Sequence, residues 1–226
     1  MIVTLFAMTL AFQQTPQEQP RLSDRDGRPA PSNDQLRDMD ARMMPARSTP
    51  EALRTIQRFG ACIANASTAK ATATLAGDFR TPTYRRAIDQ LVDANRLCPE
   101  SRGWYRMRAS RLLLAGAIAE RLVERDGRPV NVELAKAAAK PAASTYSPTD
   151  SAAMCVVRSV PDDVAKLFAS EVASDGEKAA ADAVQPVMAR CLNNPQVQIS
   201  IDGLRAMLAT AAFRSIHATA AVASRN

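Results

Sequence analysis

The sequence predicts an all-α fold made of two tandem four-helix units, each tied by one disulfide. Three observations carry that prediction. Alanine supplies 43 of the 226 residues while aromatics make up 4%, a composition that suits close-packed helices and not sheets, which favour β-branched and aromatic side chains. Apolar residues recur at three- and four-residue spacing between Ser/Thr-Pro starts and Gly or Pro stops. Finally, Cys62 and Cys98 stand 36 positions apart, and so do Cys155 and Cys191.

The chain opens with an apolar run, Ile2 to Phe12. Such a run is too short to cross a bilayer, which takes about 20 residues, but it has the length of a signal-peptide core. No Lys or Arg precedes it, and Thr9 and Ala11 form only a modest cleavage site. Residues 1–12 are therefore expected to be signal-like. Residues 13–46 are rich in Gln, Pro, Asp and Arg and poor in apolar side chains. They bury too little to offset their ordering entropy, and a disordered tether is expected, with Asp34–Met44 its one short helix.

The first unit spans 47–129. Thr49 caps and Pro50 opens a helix whose Leu53, Ile56, Phe59, Cys62 and Ile63 share a face. Ser67 is expected to cap a short helix to Ala76, stopped by Gly77. Thr81 and Pro82 start the third, leading through Ile88 and Leu91 towards Cys98. The fourth runs from about Ala109 to Glu124 and stops at Asp126-Gly127-Arg128-Pro129. Residues 130–146 read as a linker, helical as far as Pro141.

The second unit, 147–226, repeats the scheme. Ser147-Pro148 opens a helix through Cys155 to Arg158, and Pro161 opens Asp162–Ser170. Ser174 with Glu177 makes a capping box before the helix to Cys191, which contains Pro186. Ser200 starts the last helix, through Leu204, Met207, Leu208 and Ala211. An offset of 93 superposes both cysteine pairs, and one inserted residue then lays RLLLAGAIAERL over RAMLATAAFRSI. This is the pattern of a tandem duplication.

Two evenly spaced pairs with none left over point to disulfides Cys62–Cys98 and Cys155–Cys191. The rivals are a structural zinc site, whose usual C-x₂₋₄-C spacing is missing, and four buried free thiols. Disulfides and an apolar start both point to the periplasm or the outside. The charge of +6 lies entirely in 51–130, where fourteen basic residues meet eight acidic ones. Arginine in place of lysine beside abundant alanine follows from base composition, so nucleic acid is not expected among the partners.

No catalytic residue, cofactor site or metal site is expected. His217 is the only histidine and reads as a helix-end residue; Ser67 and Lys70 match S-x-x-K, with Ser67 better explained as a cap. Glu120 interrupts an apolar helix and is expected to find a buried partner near Arg111 or Arg121. The one segment suited to a binding surface is Arg102, Trp104, Tyr105, Arg106 and Arg108, with Arg111 a turn later. Guanidinium beside indole suits anionic polymers, lipid headgroups or a protein hot spot. A connector whose Trp104 and Met107 plug the core while the arginines face water explains the segment better.

The second unit, with AMCVVRSVPDDVAKLFAS followed by ARC and LRAMLATAAF, resembles uncharacterised predicted-secreted alphaproteobacterial helical proteins with a paired-cysteine unit. The first unit is similar through ACI, NRLC and RLLLAGAIAERL. The resemblance covers about 55–125 and 148–216. It implies an exported helical protein and transfers no functional residue.

The sequence thus leads to a non-enzymatic periplasmic or secreted helical protein without a transmembrane helix, engaging a protein or cell-envelope partner through a helical surface. The alternative is a binder of anionic polymer or lipid through Arg102–Arg111. A deep pocket lined by convergent polar side chains would count against the helical-surface reading.

Overall fold

The computed structural model describes residues 48–98, 110–125, 127–194 and 196–223, with side chains as far as His217. The signal-like segment, the tether and Arg102–Arg108 lie outside the described residues. Those described are nine helices and their connections, with no strand among them. The order is α1 Pro50–Ala66, α2 Thr68–Leu75, α3 Pro82–Ala94, α4 Arg111–Glu124, α5 Val130–Ala138, α6 Pro148–Ser159, α7 Pro161–Ala169, α8 Asp175–Cys191 and α9 Ile201–Ala223.

Local chemistry sets most of the starts. Thr49, Thr81, Ser110, Ser147 and Ser174 each accept a hydrogen bond at their side-chain oxygen from a backbone N–H in the first turn, satisfying a donor that the helix leaves open. Ser67 does something else. Its hydroxyl donates to Asn95 Oδ1 at 3.0 Å, so it joins α1 to the end of α3 instead of capping α2. The linker 130–146 is helical as expected, α5 ending at Ala138 short of Pro141, and it packs into the core, with Leu134 fully buried. Gly127, at φ 66°, supplies the left-handed turn before it.

Both disulfides are present. Cys62–Cys98 and Cys155–Cys191 each have Cα atoms 6.0 Å apart. Each ties the first helix of its half to the end of the third. Cys98 is buried against the core, whereas Cys155 lies at the surface.

The two fourth helices make the centre. α4 packs on α1, α9 packs on α6, and α4 and α9 pack on each other. Glycine lets them approach: a Cβ on Gly60 would come within 2.4 Å of Ala117 Cβ, and one on Gly116 within 2.5 Å of Ala206 Cα. One continuous core results, with Phe59, Ile63 and Ile118 from the first half meeting Val157, Leu208 and Phe213 from the second.

Candidate functional site

A partly open cavity of about 330 Å³ lies where the two halves meet. Five parts of the chain build it. The turn after α2 contributes Phe79, α3 contributes Tyr84 and Arg85, and α4 contributes Arg111, Leu112 and Ala115. The start of α6 supplies Thr149 and Asp150, and α9 supplies Met207, Thr210 and Arg214. Its volume sits at the lower end of the range for small-molecule sites, about 300–1,000 Å³, and its walls are mainly apolar with a few polar groups. A more open depression of about 370 Å³ lies beside Gly127–Val130. Another, of about 510 Å³, runs along α7 and α8, where alanines supply much of its wall.

The polar groups of the cavity are held from behind. Asp150 and Arg214 are both buried and form an ion pair, and Arg214 also donates to Ser144 O at 3.1 Å. The other Asp150 oxygen accepts from Tyr146 N at 2.8 Å, so both oxygens of this carboxylate are engaged. The Arg214 guanidinium lies 5.3 Å from the Tyr146 ring centroid, and Phe79 meets that ring edge-on at 5.9 Å. Arg111 leans outward to a two-pronged pair with Asp89 at 3.0 Å. Arg85 makes no ion pair among the described residues. Tyr84 is only 9% exposed, and its hydroxyl has no hydrogen-bond partner among the described residues. Burial raises its pKa to about 12, against the smaller lowering effect of Arg214, so this hydroxyl keeps its proton.

A second, much smaller cavity of about 30 Å³ lies at corresponding positions of the other half. At the offset of 93, Phe79 answers to Val172, Tyr84 to Glu177, Thr149 to Ile56 and Asp150 to Gln57. Past the inserted residue, at 94, Arg111 answers to Arg205, Leu112 to Ala206, Thr210 to Gly116 and Arg214 to Glu120. Each residue of these pairs lines its own cavity. The second is lined by Arg205, whose guanidinium donates to Glu120 Oε1 at 2.6 Å, Glu120 Oε2 at 2.9 Å and Glu177 Oε1 at 2.8 Å. It also donates to the carbonyls of Phe168 and Ser170. Burial works against charge on Arg205, yet the two carboxylates outweigh it and raise its pKa above the ordinary arginine value.

Of the sequence-predicted surface, Arg102, Trp104, Tyr105, Arg106 and Arg108 lie outside the described residues, and Arg111 borders the cavity. Glu120 is paired with Arg205 across the α4–α9 contact, not with Arg111 or Arg121. Arg121 donates instead to Asn65 Oδ1 at 3.2 Å. His217 is not at a helix end, because α9 continues to Ala223; its ring lies 4.4 Å from that of Phe213. Tyr84, Asp150 and Arg214 carry no catalytic or ligand-binding spacing in the sequence. Only laying one half over the other, at 93 for Tyr84 and Asp150 and at 94 for Arg214, could have drawn attention to them.

Among the described residues no helix is long and apolar enough to cross a membrane, and no group of three or more His, Cys, Asp or Glu could hold a metal ion. Comparison with protein-family models, curated protein sequences and solved structures gave no match to this chain.

Proposed function

We propose that this chain is an exported, non-enzymatic binding protein that holds a small ligand in the cavity between its two halves. The observation that carries the reading is that cavity itself, a 330 Å³ space with mainly apolar walls, lined by a mostly buried tyrosine whose hydroxyl has no hydrogen-bond partner among the described residues. A helical surface built only to engage a protein or an envelope partner has no use for such a space. The two disulfides support a place outside the cytoplasm, where disulfides form and persist. We read the two halves as copies of one ancestral unit, on the paired cysteines and the paired cavity positions. Within that reading one copy of the cavity is kept open and the other is filled by the chain's own side chains.

The test is native mass spectrometry, with a non-reducing peptide map, on the protein purified from its own host. The expected result is a small non-covalent mass lost on denaturation, with Cys62–Cys98 and Cys155–Cys191 linked and residues 1–12 gone. Bare protein with four free thiols and Met1 retained would overturn both the ligand and the compartment.

A further inference from the structure

We propose that the open cavity takes a small amphipathic anion, a carboxylate on an apolar body, with the acid group at Tyr84 and Arg214 and the body against Phe79, Leu112 and Met207. This rests on the reading of the cavity as a ligand site and names the ligand's chemistry.

The two cavities differ in the groups that occupy matching positions. In the smaller one, two internal carboxylates, Glu120 and Glu177, converge on a buried guanidinium. In the open one, the corresponding positions are Arg214 and Tyr84, a cation and a hydroxyl donor. The acid groups that fill the first space are therefore missing from the second, and donors stand in their place. An incoming carboxylate would supply what the chain supplies for itself in the other half.

Charge points the same way. Arg85, Arg111 and Arg214 line the larger cavity; Arg111 is paired with Asp89 and Arg214 with Asp150, whose two oxygens are both engaged, which leaves Arg85 as the lining cation without an ion pair among the described residues. The smaller cavity has the opposite balance, with Glu120, Glu177 and Asp202 against Arg205. Arginine presents up to five N–H donors, and Arg214 uses Nη1 and Nη2 on Ser144 and Asp150, leaving capacity for an acceptor. A cationic ligand would meet three arginines and no free carboxylate. A wholly apolar one would leave the Tyr84 hydroxyl buried without a partner, which is unfavourable. Phe79 and Leu112, exposed at 38% and 41%, give the entrance an apolar rim along which a chain can enter.

The experiment is isothermal titration of the purified full chain with decanoate, decanol and decyltrimethylammonium at low salt. Decanoate is expected to bind at least tenfold more tightly than either of the others. Tyr84→Phe should weaken decanoate about tenfold, the size of one hydrogen bond to a charged group. Arg85→Glu, at an exposed position without an ion pair, should weaken it several-fold, and Thr210→Leu should abolish binding by narrowing the space. Circular dichroism of each variant confirms that it folds. If decanol or the ammonium binds as well as decanoate, the anion inference falls and the cavity reading stands. If none of the three binds, or Thr210→Leu changes nothing, both fall.

Discussion

Arg205 reaches across the molecule from α9 to carboxylates on α4 and α8, and almost none of the three side chains is exposed. A buried charge is tolerated only when it is paired and hydrogen-bonded, and here all five guanidinium donors have acceptors, Nη1 reaching Ser170 Oγ as well as Glu177. Arg205→Met would leave Glu120 and Glu177 facing each other without a cation. Removing one partner of a buried pair typically costs about 3–5 kcal/mol, and urea unfolding of the variant should lose an amount in that range. A loss below about 1 kcal/mol would mean that water reaches the pair. Glu124, one turn beyond Glu120, is half-buried, and burial, then the Glu120 charge, raises its pKa. A carboxyl whose pKa is higher in the folded chain than in the unfolded one favours folding while protonated. That contribution is complete below the ordinary glutamate pKa and is lost as pH rises through the folded value. Glu124→Gln should therefore unfold at a higher urea concentration than the parent at pH 7, and at the same concentration near pH 4.

The helices carry their instructions locally, which is why their starts are legible in the sequence. Thr49-Pro50, Thr81-Pro82 and Ser147-Pro148 each pair a side-chain acceptor with a residue preset for the first helical position, and each begins a helix. Ser67 fails as a cap because a distant partner, Asn95, takes its hydroxyl, and distant partners cannot be read from spacing. The same limit hid the site. Glu120 stands out in its apolar helix, but its true partner lies 85 positions away on a helix that packs against it only in the folded chain. What holds those helices so close is the absence of side chains at Gly60 and Gly116. A methyl group at either would overlap the neighbouring helix at 2.4 to 2.5 Å, in part against backbone that cannot turn aside. Gly60→Ala and Gly116→Ala should each destabilise by about 1–3 kcal/mol, the range for overpacked cores, even though alanine is the better helix former. Chemical denaturation of both variants checks this. Equal or greater stability would show that α4 can slide away from α1 or α9 without loss.

At the scale of the whole molecule, the disulfides sit inside the halves while the largest packing runs between them. Each bond closes a stretch of 36 positions within its own half. By loop-closure entropy such a bond stabilises by about 4 kcal/mol. Had the halves been separate domains, removing one bond would loosen its own half and leave the other intact. The core is continuous, however. α4 and α9 pack on each other, Ile118 and Phe213 belong to one buried cluster, and the Arg205 pairs join α4, α8 and α9. Folding free energy placed in one half is therefore shared by the other. The double variant Cys62→Ser with Cys98→Ser, and likewise Cys155→Ser with Cys191→Ser, should each shift one single unfolding transition by a similar amount. Calorimetry, together with unfolding followed separately by helix content and by an aromatic probe, distinguishes the cases. Coincident curves are expected from a shared core, and a second transition in either variant would show that the halves unfold independently. The open cavity lies along this same junction, so a bound ligand should raise that one transition in both variants, coupling occupancy of the site to the stability of the whole described fold.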